Sequence, residues 1–133
     1  MRTYFCFILT LFLFYKTSAQ TNNGNIVGHW KYSDAKSYYD GIEEKPQCKK
    51  ADLYVDEDGY FANEKKPKRP SETWKRWYDN RKWVKEDSII KIIRIKDGKT
   101  IQKILIKKLT DNELTIQRQD GKRTVILSYI KAD

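Results

Sequence analysis

The chain has 133 residues, 27 Lys plus Arg against 18 Asp plus Glu, and a formal charge of +9. That length holds one domain, which excludes eight-helix barrel enzymes and two-domain dehydrogenases. Two cysteines and one histidine exclude a cysteine-rich scaffold and argue against a structural zinc site, while 34% charged and 14% aromatic residues describe a polar-surfaced globular domain and not a disordered tail.

The chain opens as a targeting segment. Arg2 supplies a short positive region, an apolar and aromatic run from Tyr4 to Tyr15 is broken only by Thr10, and Lys16 precedes the small residues Thr17-Ser18-Ala19. This is the architecture of a secretory signal. The run covers 12 residues, short of the roughly 20 needed to cross a bilayer. The reading is therefore a signal peptide over residues 1–19, cleaved after Ala19, a polar leader over 20–25 and one domain over 26–133. Cleavage leaves 114 residues with 25 basic and 18 acidic side chains, a formal +7, and Cys48 as the only thiol. Such an exported product, periplasmic or secreted, has no internal disulfide and relies on its core. Cys48 is expected to pack as a small apolar residue, with a disulfide to another chain as the weaker alternative.

Residues 26–32 form the first candidate strand. Residues 33–50 read as either a short helix or a long loop, with Pro46 limiting any helix. Residues 51–55 alternate, and Asp56-Glu57-Asp58-Gly59 turns them into 60–63. Residues 64–72 (EKKPKRPSE) carry two prolines and four basic residues, so they read as an exposed loop. Residues 74–83 hold three tryptophans and read as an aromatic strand ending in Trp83. Residues 88–95 form a strand, and Asp97-Gly98 is the strongest hairpin signal in the chain. Residues 100–109 follow, a turn at 110–113 leads into 114–119, Asp120-Gly121 is a second Asp-Gly turn, and 123–131 is the last strand.

Parity places Leu53 and Val55, Ile104 and Ile106, Leu114 and Ile116, and Val125, Leu127 and Tyr129 on one buried face. The strand at 88–95 has isoleucines on both faces, so it is either buried on both sides or covers a second apolar surface. Short strands at regular spacing with Asp-Gly turns predict an all-β fold: a single small antiparallel up-and-down barrel of about eight strands.

Catalytic signals are missing. His29, the single histidine, lies beside an inward Trp30 and so points out, and the chain has no nucleophile elbow, no zinc-binding His-Glu-x-x-His and no phosphate loop. No catalytic residue, enzyme activity or cofactor is assigned. Asp56-Glu57-Asp58 is a charged hairpin tip without calcium-loop spacing. Trp74, Trp77, Tyr78 and Trp83 alternate with Lys75, Arg76, Arg81 and Lys82, a mixture found on single-stranded nucleic-acid surfaces. Export argues against nucleic acid, and the same mixture suits an anionic lipid or glycan surface. Lys65, Lys66, Lys68 and Arg69 extend that basic stretch.

Gly28-x-Trp30 in the first strand, then Cys48, Leu53-x-Val55, Asp58-Gly59-x-Phe61, a tryptophan segment ending in Trp83, Ile106-x-x-Leu109-Thr110, Leu114-x-Ile116 and a closing Val125-x-Leu127-x-Tyr129 follow one another in an order that resembles the lipocalin-like family of small exported bacterial proteins. The resemblance implies a small antiparallel β-barrel, monomeric and not an integral membrane protein, holding a small apolar or amphipathic molecule. Phe61, Trp83, Ile104 and Ile106 are the ligand-binding candidates, with Leu53, Val55, Leu114, Ile116 and Leu127 completing the interior wall. The competing reading is an interaction or inhibitor module that uses a basic, Trp-rich outer surface over a filled core. Space inside the barrel separates the two.

Overall fold

Strands dominate the computed structural model, which describes residues 25–46 and 48–132. The signal segment read at 1–19 and most of the polar leader lie outside the described residues. In chain order the elements are β1 (Gly28–Tyr39), β2 (Ile42–Glu44), β3 (Leu53–Val55), β4 (Phe61–Ala62), α1 (Glu72–Tyr78), β5 (Arg81–Glu86), β6 (Ile89–Arg94), β7 (Thr100–Leu109), β8 (Glu113–Asp120) and β9 (Arg123–Lys131). All pairings are antiparallel. The sheet runs β4-β3-β1-β9-β8-β7-β6-β5, with β2 paired to β1 off that path. It is the expected up-and-down barrel, nearly closed. The seam lies between β4 and β5, where Trp83 Nε1 on β5 donates to the Asp56 carbonyl beyond β3 at 2.8 Å.

Two segments differ from the sequence expectation. The described residues of 33–50 hold neither a helix nor one long loop: β1 runs on to Tyr39, turns at Asp40-Gly41 and returns as β2, with Ser37 opposite Glu44. Asp40 and Gly41 both take positive φ, 52° and 81°, the pairing that lets a two-residue turn match the twist of its strands. A bulge between Tyr32 and Asp34 inserts one residue into β1. It lets the strand bend while Trp30 and Ala35 both stay buried. Residues 74–83 are not one strand. Ser71 caps α1 by accepting from the Trp74 N–H at 3.1 Å, Glu72 sits in the positive first turn, and the strand begins only at Arg81.

The isoleucine strand β6 is buried on one face only. Ile90 and Ile92 are inside, while Ile89 lies opposite Leu105 on β7 with both exposed. The final hairpin is shifted by one residue, since Asp120 pairs with Arg123 and the turn centres on Gly121-Lys122. Elsewhere the alternation holds. Leu53, Val55, Ile104, Leu114, Ile116, Val125, Leu127 and Tyr129 are buried, and a bulge between Ile106 and Lys108 brings Leu109 inward as well.

Trp30 plugs one end of the barrel. It is fully buried, and its indole Nε1 donates to the Ile26 carbonyl at 2.8 Å. Lys131 reaches across from β9, with Nζ 4.6 Å from the centre of the Trp30 ring and donating to the Val27 carbonyl at 2.7 Å. Gly28 makes that approach possible. Its φ is 141°, and a Cβ there would meet Lys131 Nζ and lie 3.0 Å from Lys131 Cε. A large aromatic, a cation over its face and a satisfied indole N–H together make this end a packed stopper. Trp30→Ala is expected to cost about 3–5 kcal/mol in chemical denaturation, as a buried aromatic truncation does. A loss below about 1 kcal/mol would show that the end is not packed this way.

Candidate functional site

The inner face of the barrel changes character along its length. On β8 the inward positions run Leu114, Ile116, Arg118, opposite Tyr129, Leu127 and Val125 of β9. Across β7 and β6, Arg118 faces Ile104, and Gln102 faces Ile92; on β5, Trp83 faces Ile92 and Arg81 lies two residues before it on the same side. The barrel is therefore apolar at the Trp30 end and polar and cationic at the other.

That far end is an open cup. A cavity of about 320 Å³ is lined by Tyr60, Phe61, Ile92 and Ile104 together with Gln102 and Arg118. A second, about 730 Å³, lies beside it and shares Lys49, Asn63, Arg81, Gln102 and Arg118 with the first. Both volumes fall in the range of small-molecule sites. The cup is built from the first residues of β5 and β7, the last of β8, the β8–β9 hairpin and the segments flanking β3 and β4.

Its electrostatics are one-sided. Lys49, Arg81, Lys82, Arg118 and Arg123 line the two cavities against Glu64 and Asp120. Arg123 is committed: its Nε donates to Glu44 Oε1 at 2.7 Å, the buried Ser37 hydroxyl donates to the same oxygen at 3.0 Å, and its guanidinium lies 5.5 Å from the centre of the Tyr39 ring. The Arg123 hydrogen bond, before all else, holds the Glu44 carboxyl below its usual range. Arg118 is half-buried and has no carboxylate within 4.0 Å among the described residues. Beneath it lies the buried Tyr129 phenol, whose pKa burial pushes up while a hydrogen bond with the Asn63 side chain and the Arg118 charge oppose the rise.

An aromatic cluster fixes α1 beside the cup. Trp74 and Tyr78, one helical turn apart, both pack on Tyr60, with ring centres 5.6 and 5.5 Å away. The Tyr60 hydroxyl donates to the Glu64 carbonyl, and its backbone N–H donates to Asp56 Oδ1 at 2.9 Å. The Asp56 carboxylate also accepts from the Asp58 N–H at 3.0 Å, so this cluster of acids organises a turn. No group of three or more His, Cys, Asp or Glu converges as metal ligands among the described residues.

Of the residues expected to line a ligand site, Phe61 and Ile104 line the smaller cavity. Trp83 packs against the core and spends its indole on the barrel seam, and Ile106 also packs against the core without lining the cup. Leu53, Val55, Leu114, Ile116 and Leu127 belong to the filled apolar half. The residues that sequence reasoning missed are Arg118, Gln102 and Lys49, while Arg81, read as part of a basic outer stretch, lines both cavities. Parity carried two residues past Ile116 reaches Arg118, and two residues before Trp83 reaches Arg81. Cys48 packs against the core and lines the wider cavity.

The other candidates lie elsewhere. His29 is half-exposed, stacked on Tyr54 at 4.4 Å with its Nε2 2.8 Å from Asp52 Oδ2. Asp52 also accepts the Tyr32 N–H at 2.9 Å, at the β1 bulge. That backbone bond first, and His29 second, hold its carboxyl below the usual range, so the pair braces a bend. Lys65, Lys66, Lys68 and Arg69 sit on the exposed loop before α1. Among the described residues no helix is long and apolar enough to cross a membrane.

Burial, more than its neighbours Tyr78, Glu64 and Asp56, pushes the Tyr60 phenol up to about 12. A phenol that keeps its proton longer when folded contributes stability that is fully present below the unfolded value near 10 and is lost as pH rises toward 12. The stability advantage of the parent over Tyr60→Phe should therefore shrink by about 2 kcal/mol across that alkaline window. Urea unfolding of both proteins at stepped pH measures it, and parallel curves would refute the buried phenol. In comparisons with known proteins, the chain matches no family model, no curated protein and no solved structure.

Proposed function

We propose that this chain is an exported, lipocalin-like, non-enzymatic binding protein that holds one small amphipathic molecule in the open end of its barrel. The observation that carries the reading is the cup itself: about 320 Å³ beside Phe61, Ile92 and Ile104, continuous in lining with a wider opening of about 730 Å³. A barrel of this size is either filled by its own side chains or leaves room for one small ligand. Here the filled half ends at Ile116 and Leu127, and the cup begins at Arg118 and Val125. The lining is mixed: Tyr60, Phe61, Ile92 and Ile104 give it an apolar side, and Lys49, Asn63, Arg81, Gln102 and Arg118 give it polar groups that can orient a ligand.

The competing interaction module has less support. It needs tryptophans on the outer surface, whereas Trp30 is buried, Trp83 packs on the core and Trp74 stacks on Tyr60. The exposed basic loop at 65–69 suits a second role in steering anionic lipid or glycan surfaces toward the cup.

Native mass spectrometry of the protein purified from its own host tests the reading. The expected result is one bound small molecule per monomer and a polypeptide mass that begins at Gln20. A chain that carries no ligand and binds none from an extract of host small molecules would overturn the binding function. A mass retaining Met1 would overturn export by signal cleavage.

A further inference from the structure

Building on the binding reading above, we infer that the molecule in the cup is an amphipathic oxyanion, a carboxylate or phosphate head on a short apolar body, and that Arg118 is the head-group contact. The placement of Arg118 carries the inference. It stands on the inner face of β8, two residues beyond the buried Ile116, directly opposite Ile104 on one side and Val125 on the other. A half-buried guanidinium loses part of its hydration, which an anionic partner offsets.

The chain shows how it neutralises such a group when the partner is its own. Arg123, two positions beyond Gly121, is met by Glu44 at 2.7 Å, with Ser37 and Tyr39 completing the shell. Arg118 has no such carboxylate among the described residues, although it lines both cavities. The remaining charge reinforces the same sign. Arg81 and Lys49 line both cavities with it, and Lys82 lines the smaller one, against Glu64 in one and Asp120 in the other. A cationic ligand would be repelled there, and a purely apolar one would leave the guanidinium unpaired. The planar fork of arginine fits a carboxylate or phosphate through two parallel hydrogen bonds.

The apolar body has its place as well. Phe61, Ile92 and Ile104 form the wall of the smaller cavity next to Arg118. Its volume of about 320 Å³ accommodates about ten non-hydrogen atoms at the ~30 Å³ that one water molecule occupies. That is the size of a medium-chain acid such as octanoate.

Calorimetric titration of the purified protein with octanoate, octyl phosphate and octan-1-ol at physiological ionic strength tests the inference. Both anions should bind at least about tenfold more tightly than the alcohol, as a charge-assisted pair implies. The tighter of the two identifies the head group. Arg118→Gln should weaken both anions by about tenfold or more and leave the alcohol within about twofold. Arg118→Lys, which keeps the charge without the fork, should fall between parent and Arg118→Gln. The double variant Lys36→Ser/Lys107→Ser, at exposed lysines that line neither cavity, should change anion affinity by less than about twofold, because exposed charges are screened. Circular dichroism checks that each variant is folded. Equal binding of alcohol and anions would overturn the oxyanion, and unchanged anion binding in both Arg118 variants would overturn Arg118 as its contact. No binding of any of the three would overturn the inference together with the binding reading on which it rests.

Discussion

Trp30 is the piece on which the barrel closes. Its indole is fully buried, its N–H is satisfied by Ile26, and Lys131 lies over its face while tying down Val27. Those contacts clamp the first strand to the last, because Trp30 and Lys131 are direct partners across β1 and β9. Among the described residues the β1–β9 pairing joins the first strand to the last. Without a packed stopper the apolar ring of Leu53, Leu109 and Leu114 would face water at that end.

Plugging one end leaves the other free to differ. The same inward column that reads Leu114 and Ile116 reads Arg118 next, and the same switch occurs from Trp83 to Arg81 and from Ile104 to Gln102. A barrel that were apolar throughout would collapse onto its own side chains. Long, charged side chains at one end resist that, since each must keep its head group hydrated or paired. Helix α1 stands at this end, held by the stacking of Trp74 and Tyr78 on Tyr60, and accompanies the seam, which no strand pairing closes among the described residues. A packed core and an open cavity are thus divided between the two halves of one inner face.

Much of the fold was legible because apolar alternation and Asp-Gly turns are local signals. Leu53-x-Val55, Leu114-x-Ile116 and Val125-x-Leu127-x-Tyr129 are buried as their spacing implies. The β1–β2 hairpin was missed although it carries the same Asp-Gly pair. Its inward position is Ser37, which alternation counted on apolar residues cannot see, and whose burial is compensated by Glu44 from the returning strand. The helix at 72–78 was missed because Trp and Tyr favour strands, and only the capping Ser71 and the spacing of Trp74 and Tyr78 argued otherwise. At the cup, Phe61 and Ile104 line the cavity as their inward reading implies, and Arg118 was not read as inward. A charged residue at the end of a strand reads as solvated until the sheet curls and turns its inner face into a cup.

The division into a packed end and an open end is tested most directly by hydrogen exchange at the indole nitrogens, resolved by nuclear magnetic resonance. Trp30 Nε1–H is fully buried and bonded to Ile26, so it should exchange only when the whole barrel unfolds. Its protection should equal the global unfolding constant, on the order of 10⁴ or more for a domain of ordinary stability. The Arg118 side-chain N–H groups, facing the cup, should exchange with solvent many orders faster in the same sample. A Trp30 indole that exchanges far faster than global unfolding allows, or Arg118 groups protected to the same degree as Trp30, would contradict a barrel stoppered at one end and open at the other.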